Sequence, residues 1–495
     1  MNRDRRGSPA DQTVLSSEAA PGPRVAAAAT ALVLAAIVLL YPYRSSLPVS
    51  DDFLFARSSP PIDIAGALFR GWEHPIGKAS AYRPVTVASY RLNQVECGSE
   101  GDIRCYHVTN YILHGVVCAL LLVVAVRCGL PLLPAFVAGA LFLVYPPTHE
   151  NVFWISGRTY PLGALFGLAV CVFAARHRLN GPSVFGVYLL TLLALSSYEG
   201  AVMLPAIAVL CRAVARGRSD LGKAAIAVFV GYATYLAVRW LLVSTPVNDV
   251  WMHSNAISRE LGFPSVWPRF VRNLSQFWHA LLGVTGTATF RNGAAAAICV
   301  LIGAATVGIH RKDATRAAVG VGLAMLVGGF APFATGLGIA DRFLYLSGAG
   351  LCLAAAAGFH VLWQLGRIGR GLGVTAVTAA LIVWTANYRN VATEWLEAGD
   401  IAERVLSTLQ RAVVESAGTS KVEVFNLPLG HKRAHVFITY FDLALSRRIP
   451  PEVTIESHVD APKETAGASD SRKLSFTWDQ SRADLVRLTS DVRDR

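Results

Sequence analysis

The stretch VAAAATALVLAAIVLLYPY (25–43), with SDDFLFA (50–56) close behind it, decides how this chain reads. An apolar run of that length, rising about 1.5 Å per residue, is enough to cross roughly 30 Å of hydrocarbon. It is long for a signal-peptide core and no small-x-small cleavage site follows, so it reads as an uncleaved anchor. Residues 1–23 are polar, carry Arg3, Arg5 and Arg6, and read as a disordered cytoplasmic tail. Asp51 and Asp52 then fall at the far membrane surface. A carboxylate near the bilayer is costly, roughly 2.5–3.5 kcal/mol if buried at a helix centre, which makes the pair a functional-site candidate.

Composition supports the membrane reading. Of 495 residues, 53% are hydrophobic and 16% charged, with a mean hydropathy of +0.43. A globular chain carries about 25% charge. The net charge of +12 does not indicate a nucleic-acid partner, because the basic residues sit in short clusters between apolar runs. Basic residues are almost all Arg in an Ala-, Gly- and Val-rich chain, which suits a GC-rich bacterial genome and hence a bacterial inner membrane. Cys118, Cys171, Cys211, Cys299 and Cys352 lie inside apolar runs and Cys128 beside one, as packing residues do. Cys97 and Cys105 fall in the polar loop after the first span, where a disulfide is possible if the loop is extracytoplasmic. No spacing resembles a zinc site.

Further apolar runs cover about 108–126, 130–146, 160–175, 183–197, 201–215, 224–243, 294–310, 317–336, 343–365 and 371–388. With about eleven spans, the basic ends at Arg127, Arg176, Arg178, Arg212, Arg216, Arg311 and Arg367 all land on the side of the basic N-terminus. The C-terminus is then extracytoplasmic. Segment 267–285 sets Arg269, Arg272 and His279 opposite Phe270, Phe277 and Leu281, an amphipathic pattern suited to the interface.

The expected fold is an all-α polytopic membrane protein with a small C-terminal extracytoplasmic α/β domain. Its parts are the tail at 1–23, a transmembrane domain at 24–390 with a first outer loop at 44–107, and the small domain at 391–495. In that last part 393–416 and 434–448 read as helices. VEVFNLP (422–428), VTIES (453–457) and LSFTW (474–478) read as strands, and 462–471 as a loop.

The outer face collects the unusual polar residues. The first loop holds the Asp pair, GWEHP (71–75) with Glu73 and His74, and YRPVTVASY (82–90) with Arg83. The second span opens YHVTNYILH (106–114), which puts His107, Asn110 and His114 on one helix face. YPPTHENVFWISGR (145–158) ends the third span, SSYEGAV (196–202) makes a later turn, and ADRFLYLS (340–347) another.

This order of motifs resembles the GT-C superfamily of polyprenyl-phosphate-sugar-dependent membrane glycosyltransferases. Within it, the chain looks closest to the membrane part of the tetratricopeptide-containing O-mannosyltransferases and their bacterial relatives. Asp51 and Asp52 match the family's carboxylate pair, Arg83-Pro84 its RP segment, and His107 with Asn110 its H-x-x-N helix. Glu150 and Trp154 to Arg158 match the stretch ending W-I-S-G-R, Ser197 and Glu199 the S-K-E turn, and Arg342 with Tyr345 the E-R-Y-L-Y-L-P segment. The resemblance covers roughly 45–390. It departs at Tyr145-Pro146-Pro147-Thr148, where the family has H-P-x-H and only the adjacent His149 remains, and at Tyr198, which replaces the turn's Lys.

The resemblance implies a glycosyltransferase whose partners are a polyprenyl-phosphate-linked sugar, the lipid bilayer and an extracytoplasmic glycan, lipid or protein acceptor. A divalent metal is possible but not required by the sequence. Inverting transfer needs a base, Asp51 or Asp52, while the alternative reading of either is an N-cap. The departing phosphate needs cations or hydrogen-bond donors, for which Arg83, Arg158, Arg342 and Tyr345 are the candidates. Glu150 is open between a site carboxylate and a pair with Arg158. Glu199 is open between the site and a helix-packing ion pair, and the Glu73–His74 pair between a cation site and a solvated loop. Two other classes stand beside the enzyme: a transporter or flippase of lipid-linked sugars, and a catalytically silent assembly partner. A transporter is expected to show internal repeats and midplane charges, which this chain lacks.

Overall fold

The computed structural model describes residues 22–55, 62, 64–65, 82–97, 102–176, 178–242, 266–281, 288–310, 314–334, 339–416, 418–458 and 473–488. Among the described residues, each of the eleven apolar runs is mainly helical. Seven of the described helices are long and apolar enough to cross a membrane, from Pro23–Tyr43 to Gly366–Glu415. Leu132–Leu143 and Pro146–Phe153 make an eighth candidate bent by 56°, while Gly181–Ser197 and Ala295–Gly308 are shorter apolar helices. The break comes at Tyr145-Pro146-Pro147, where proline removes donors from the helical ladder. The chain is an integral multi-pass membrane protein.

The bundle closes around Tyr345–Gln364, of whose apolar window 89% is buried. Its small residues (SGAG, AAAAG) let neighbouring backbones approach, and a side chain at Gly350 would meet Gly322 O at 2.4 Å. Val266–Leu281 forms the amphipathic helix anticipated over 267–285, with Phe277 and Leu281 buried and Trp267 and Trp278 exposed.

One helix of 50 residues, Gly366–Glu415, joins the bundle to the C-terminal part. At about 1.5 Å per residue it is some 75 Å long. The expected boundary at 390 therefore falls inside an uninterrupted helix. Apolar residues continue along its inner face past that point, with Trp384, Trp395, Val405 and Leu409 all buried.

Beyond it stands a four-stranded sheet in the order β4-β1-β5-β6. Here β1 is Lys421–Phe425, β4 Thr454–Ser457, β5 Lys473–Asp479 and β6 Asp484–Arg487. β1 runs parallel to β4 and β5, and β6 returns antiparallel to β5. The alternation in KLSFTWD buries Leu474, Phe476 and Trp478. Residues 434–448 are not the single helix expected. β2 (Gly430–His431) pairs with β3 (Ala434–His435), and only Phe441–Ser446 is helical after Tyr440 at φ 62°. The apolar alternation AHVFITYF reflects a strap lying on the bundle, which helical periodicity imitates over so short a span. The anticipated tail at 1–21 and loop at 462–471 lie outside the described residues.

The long helix lets the chain entering the Asp loop pass close by. A Cβ on Gly399 would meet Leu47 N at 2.8 Å and Leu47 O at 2.9 Å, both backbone atoms that cannot swing aside. Gly399→Ala is expected to destabilise the protein by about 1–3 kcal/mol, the usual cost of overpacking. Gly399→Val is expected to cost more, as read from thermal melts in lipid nanodiscs.

Candidate active site

Asp51 and Asp52 sit in a 3-10 turn, Ser50–Leu54, and their side chains have different surroundings. Asp52 is 1% exposed. Its Oδ1 accepts from the backbone N and the Oγ of Ser156, both at 2.9 Å, and Oδ2 accepts from Val49 N at 3.4 Å. Burial, only partly offset by these hydrogen bonds, pushes the Asp52 carboxyl from 3.8 up to about 7. Asp51 stays partly exposed and accepts a hydrogen bond from the Thr439 hydroxyl. Ser50 completes the contact. Its N donates to Val436 O at 2.8 Å and its hydroxyl lies 2.8 Å from that of Thr439. The strap 434–440 thus lies directly on the Asp loop, with Phe437 stacked on Phe53 at 6.0 Å.

Ser156 belongs to the segment 145–158, folded as two short turns around a one-turn helix, His149–Phe153. A side chain at Gly157 would meet Glu150 O at 2.2 Å, so only glycine lets the segment double back there. The next residue, Arg158, is turned inward at 0% exposure. It donates to Asn110 Oδ1 (2.7 Å), Ser89 O (3.2 Å) and Tyr106 O (3.0 Å), with its guanidinium 4.8 Å from the Tyr90 ring centre. Asn110 in turn donates to Trp154 O at 3.1 Å. Arg158 and Asn110 therefore brace the segment from beneath. Neither can meet a phosphate, and the pair between Arg158 and Glu150 is not formed. His107 is likewise buried, its Nε2 on Ser46 O at 3.0 Å. Tyr345 is corrected too: it is buried within a helix, its hydroxyl 2.8 Å from His114 Nδ1.

Glu150 pairs with Arg342, accepting on Oε2 from Nη1 at 3.0 Å and from the backbone N at 3.3 Å. The Arg342 side chain keeps 28% exposure. His149 lies in a relay: Trp395 Nε1 donates to Nδ1 at 3.0 Å, so Nε2 carries the proton and donates to Asp341 Oδ2 at 2.9 Å. From β3, His435 brings Nε2 to 3.8 Å from Glu150 Oε1. Burial holds the His435 imidazole below its ordinary 6.5 and hence neutral.

Arg83 donates Nε to Glu199 Oε2 at 2.7 Å, and Arg239 approaches the other oxygen at 3.8 Å. The Arg83 side chain is 30% exposed. Its guanidinium lies 5.0 Å from the Tyr198 ring centre, and that of Arg342 lies 4.9 Å from Phe343. Both rings line one small apolar cleft, together with Tyr160, Leu204, Phe333 and Leu346. Tyr198, where the resembled family has Lys, packs on Tyr160 at 4.2 Å and forms the cleft wall below the two cations.

Asp51, Glu150, His149, Arg342, Arg83 and Glu199 thus line one connected arc. Glu73 and His74 lie outside the described residues. Cys97 and Cys105 are bonded, S–S 2.03 Å. Among the described residues no group of three or more His, Cys, Asp or Glu side chains is placed to hold a metal ion. Sequence reasoning missed Asp341, Trp395, Thr439, Arg239 and His435. Only Asp341 had a signal, its place beside Arg342.

No family model matches the chain. Protein O-mannosyl-transferase TMTC3 of Mus musculus is 33% identical to it over 114 residues, 22% of this chain and 12% of that protein. Protein O-mannosyl-transferase Tmtc1 of Drosophila melanogaster is 31% identical over 171 residues, 33% of this chain and 20% of that one. Protein O-mannosyl-transferase F38B6.6 of Caenorhabditis elegans is 26% identical over 355 residues, 66% of this chain and 49% of that one. The chain spans half or less of the length of these relatives. Among solved structures, the archaeal oligosaccharyltransferase AglB from Archaeoglobus fulgidus, in complex with an inhibitory peptide and a dolichol-phosphate, superposes with a TM-score of 0.51. The identity is 11%, and the match covers 88% of this chain and 64% of that one. The chain has a GT-C-like membrane fold and resembles the O-mannosyltransferases in sequence.

Proposed function

We propose that the chain transfers a glycosyl group from a polyprenyl-phosphate donor to an extracytoplasmic hydroxyl acceptor by a single inverting displacement. The observation that carries this reading is a partly exposed carboxylate at the end of the bundle that also carries two partly exposed arginines, each packed against a ring of one apolar cleft. The names of the sequence relatives favour a mannosyl, hence hexosyl, donor. The setting is a bacterial inner membrane, with the N-terminus cytoplasmic and the C-terminus outside.

In this reading Asp51 is the base. It takes the proton of the acceptor hydroxyl as that oxygen bonds to the anomeric carbon. The bond from that carbon to the phosphate oxygen breaks, and polyprenyl phosphate leaves with the electron pair. Arg342 and Arg83 stabilise the charge that grows on the phosphate, and the isoprenoid tail leaves over the apolar rings against which they pack. Asp52 is too enclosed to reach an acceptor. It is a positioning residue that ties the loop to Ser156, and Glu150 and Glu199 orient the two arginines in the same way. Most of the rate enhancement then comes from placement and charge stabilisation.

Purified protein in nanodiscs with radiolabelled polyprenyl-phosphate mannose and a mixed acceptor pool tests the assignment. Asp51→Asn is expected to lower transfer about a hundredfold or more at an unchanged melting temperature, the scale of a lost general base. Full activity in Asp51→Asn removes that residue from the chemistry, and passage of the lipid-linked sugar across the bilayer without transfer favours a transporter. Arg342→Ala is expected to weaken donor binding about tenfold or more, as loss of a charged hydrogen bond does. Arg158→Ala is expected to lower stability instead, because it removes the brace under the segment.

Asp52 makes a separate prediction. A carboxyl whose pKa is higher in the folded state binds more protons there, so its contribution to stability falls as pH rises from 3.8 through about 7. Melting temperatures are expected to decline across that window. Asp52→Asn is expected to flatten the decline, read from melts at matched ionic strength.

A further inference from the structure

Between the phosphate-binding Arg342 and the base Asp51 stands a side chain that the reaction so far leaves without work. His435 enters from the strap, and its titratable neighbours are Glu150, Arg342, His149 and Asp51. Its Nε2 is buried without a hydrogen-bond partner. Two indoles set the ring edge to face: Trp154 at 4.8 Å and 69°, and Trp395 at 5.6 Å and 89°. The Trp154 Nε1–H is also buried and has no hydrogen-bond acceptor. A buried polar atom left unpaired is costly, so two neighbouring orphans beside Glu150 and Arg342 call for a ligand that satisfies both.

We infer that His435 Nε2 hydrogen-bonds a ring hydroxyl of the transferred sugar, with Trp154 Nε1 donating to a second oxygen of the same ring. This rests on the proposed transfer reaction. In that reaction the sugar must lie between the phosphate, held at Arg342, and the acceptor, deprotonated at Asp51, and His435 is in the field of both. Its chemistry suits a polyol: a neutral imidazole accepts from a hydroxyl or donates to it without adding charge to the site. Glu150 Oε1, 3.8 Å away, is placed to accept from an adjacent hydroxyl. The lipid phosphate has no need of His435, since the two arginines serve it.

The test is equilibrium binding to the full chain in nanodiscs, with two probes. One is polyprenyl phosphate carrying mannose or glucose, and the other is the same lipid phosphate without sugar. The wild type is expected to hold a glycosylated lipid more tightly than the bare one. His435→Ala is expected to weaken the glycosylated lipid about tenfold, the value of one such hydrogen bond, and to leave the bare lipid within about twofold. His435→Gln, which keeps a donor and an acceptor, is expected to recover part of the loss and guards against misfolding of the alanine variant. Equal losses for both lipids, no loss for either, or a wild type that does not distinguish them overturns the inference. The selective loss supports it even where transfer is absent, so failure of the transfer reading remains separable.

Discussion

The bond on which the rest of the site depends joins a buried carboxyl to a turn more than a hundred residues away. Asp52 accepts from both the backbone and the hydroxyl of Ser156. Those two hydrogen bonds clamp the first outer loop to the segment that carries Glu150. A carboxyl taken out of water without such partners carries a desolvation cost of several kcal/mol. With them, the turn is held tightly enough that its neighbour Asp51 has a defined position. Asp51 stays near water while the residue beside it has given up its own access.

The same division orders the arginines. All three sequence candidates are cations near one end of the bundle, and burial separates them. Arg158 finds a side-chain amide and two backbone carbonyls in the interior and is wholly enclosed. Arg83 and Arg342 each meet one carboxylate, keep part of the guanidinium exposed, and lie against rings of a common cleft. A carboxylate partner does not disqualify a phosphate-binding arginine. It fixes the fork while leaving other N–H groups free to turn to a ligand.

Much of this was legible in the sequence, for a physical reason. A lipid-facing helix must be apolar along its length, so the spans announce themselves, and any acid between them stands out. The Asp pair, Glu150 and Glu199 stand out in that way. What periodicity cannot report is direction. Arg158 and Tyr345 share a motif with partly exposed neighbours yet point inward, because glycine at 157 and the helix starting at Tyr345 set their orientation. Nor does it report long-range contact. Nothing in VEVFNLPLGHKRAHVFITY marks His435 or Thr439 as partners of residues nearly 300 to 400 positions earlier in the chain.

That contact changes how the C-terminal part is understood. It is joined to the long helix by Arg433 with Glu394 and Asn387, by His431 and Lys432 with Glu397, and by Arg448 with Glu403. Partly exposed ion pairs contribute about 0–1 kcal/mol each, too little to dock a domain alone. The larger share comes from apolar packing: Val436, Phe437, Phe441 and Leu445 belong to the same buried cluster as Trp395, Val405 and Leu406 of the long helix. The ion pairs then select one docking register among those that packing permits. Because Thr439 holds Asp51 and His435 faces Glu150, a shift of that register by one residue would remove both groups from the membrane-side residues. The C-terminal part is therefore a wall of the candidate site, and the helix that crosses residue 390 without a break is what keeps that wall in place.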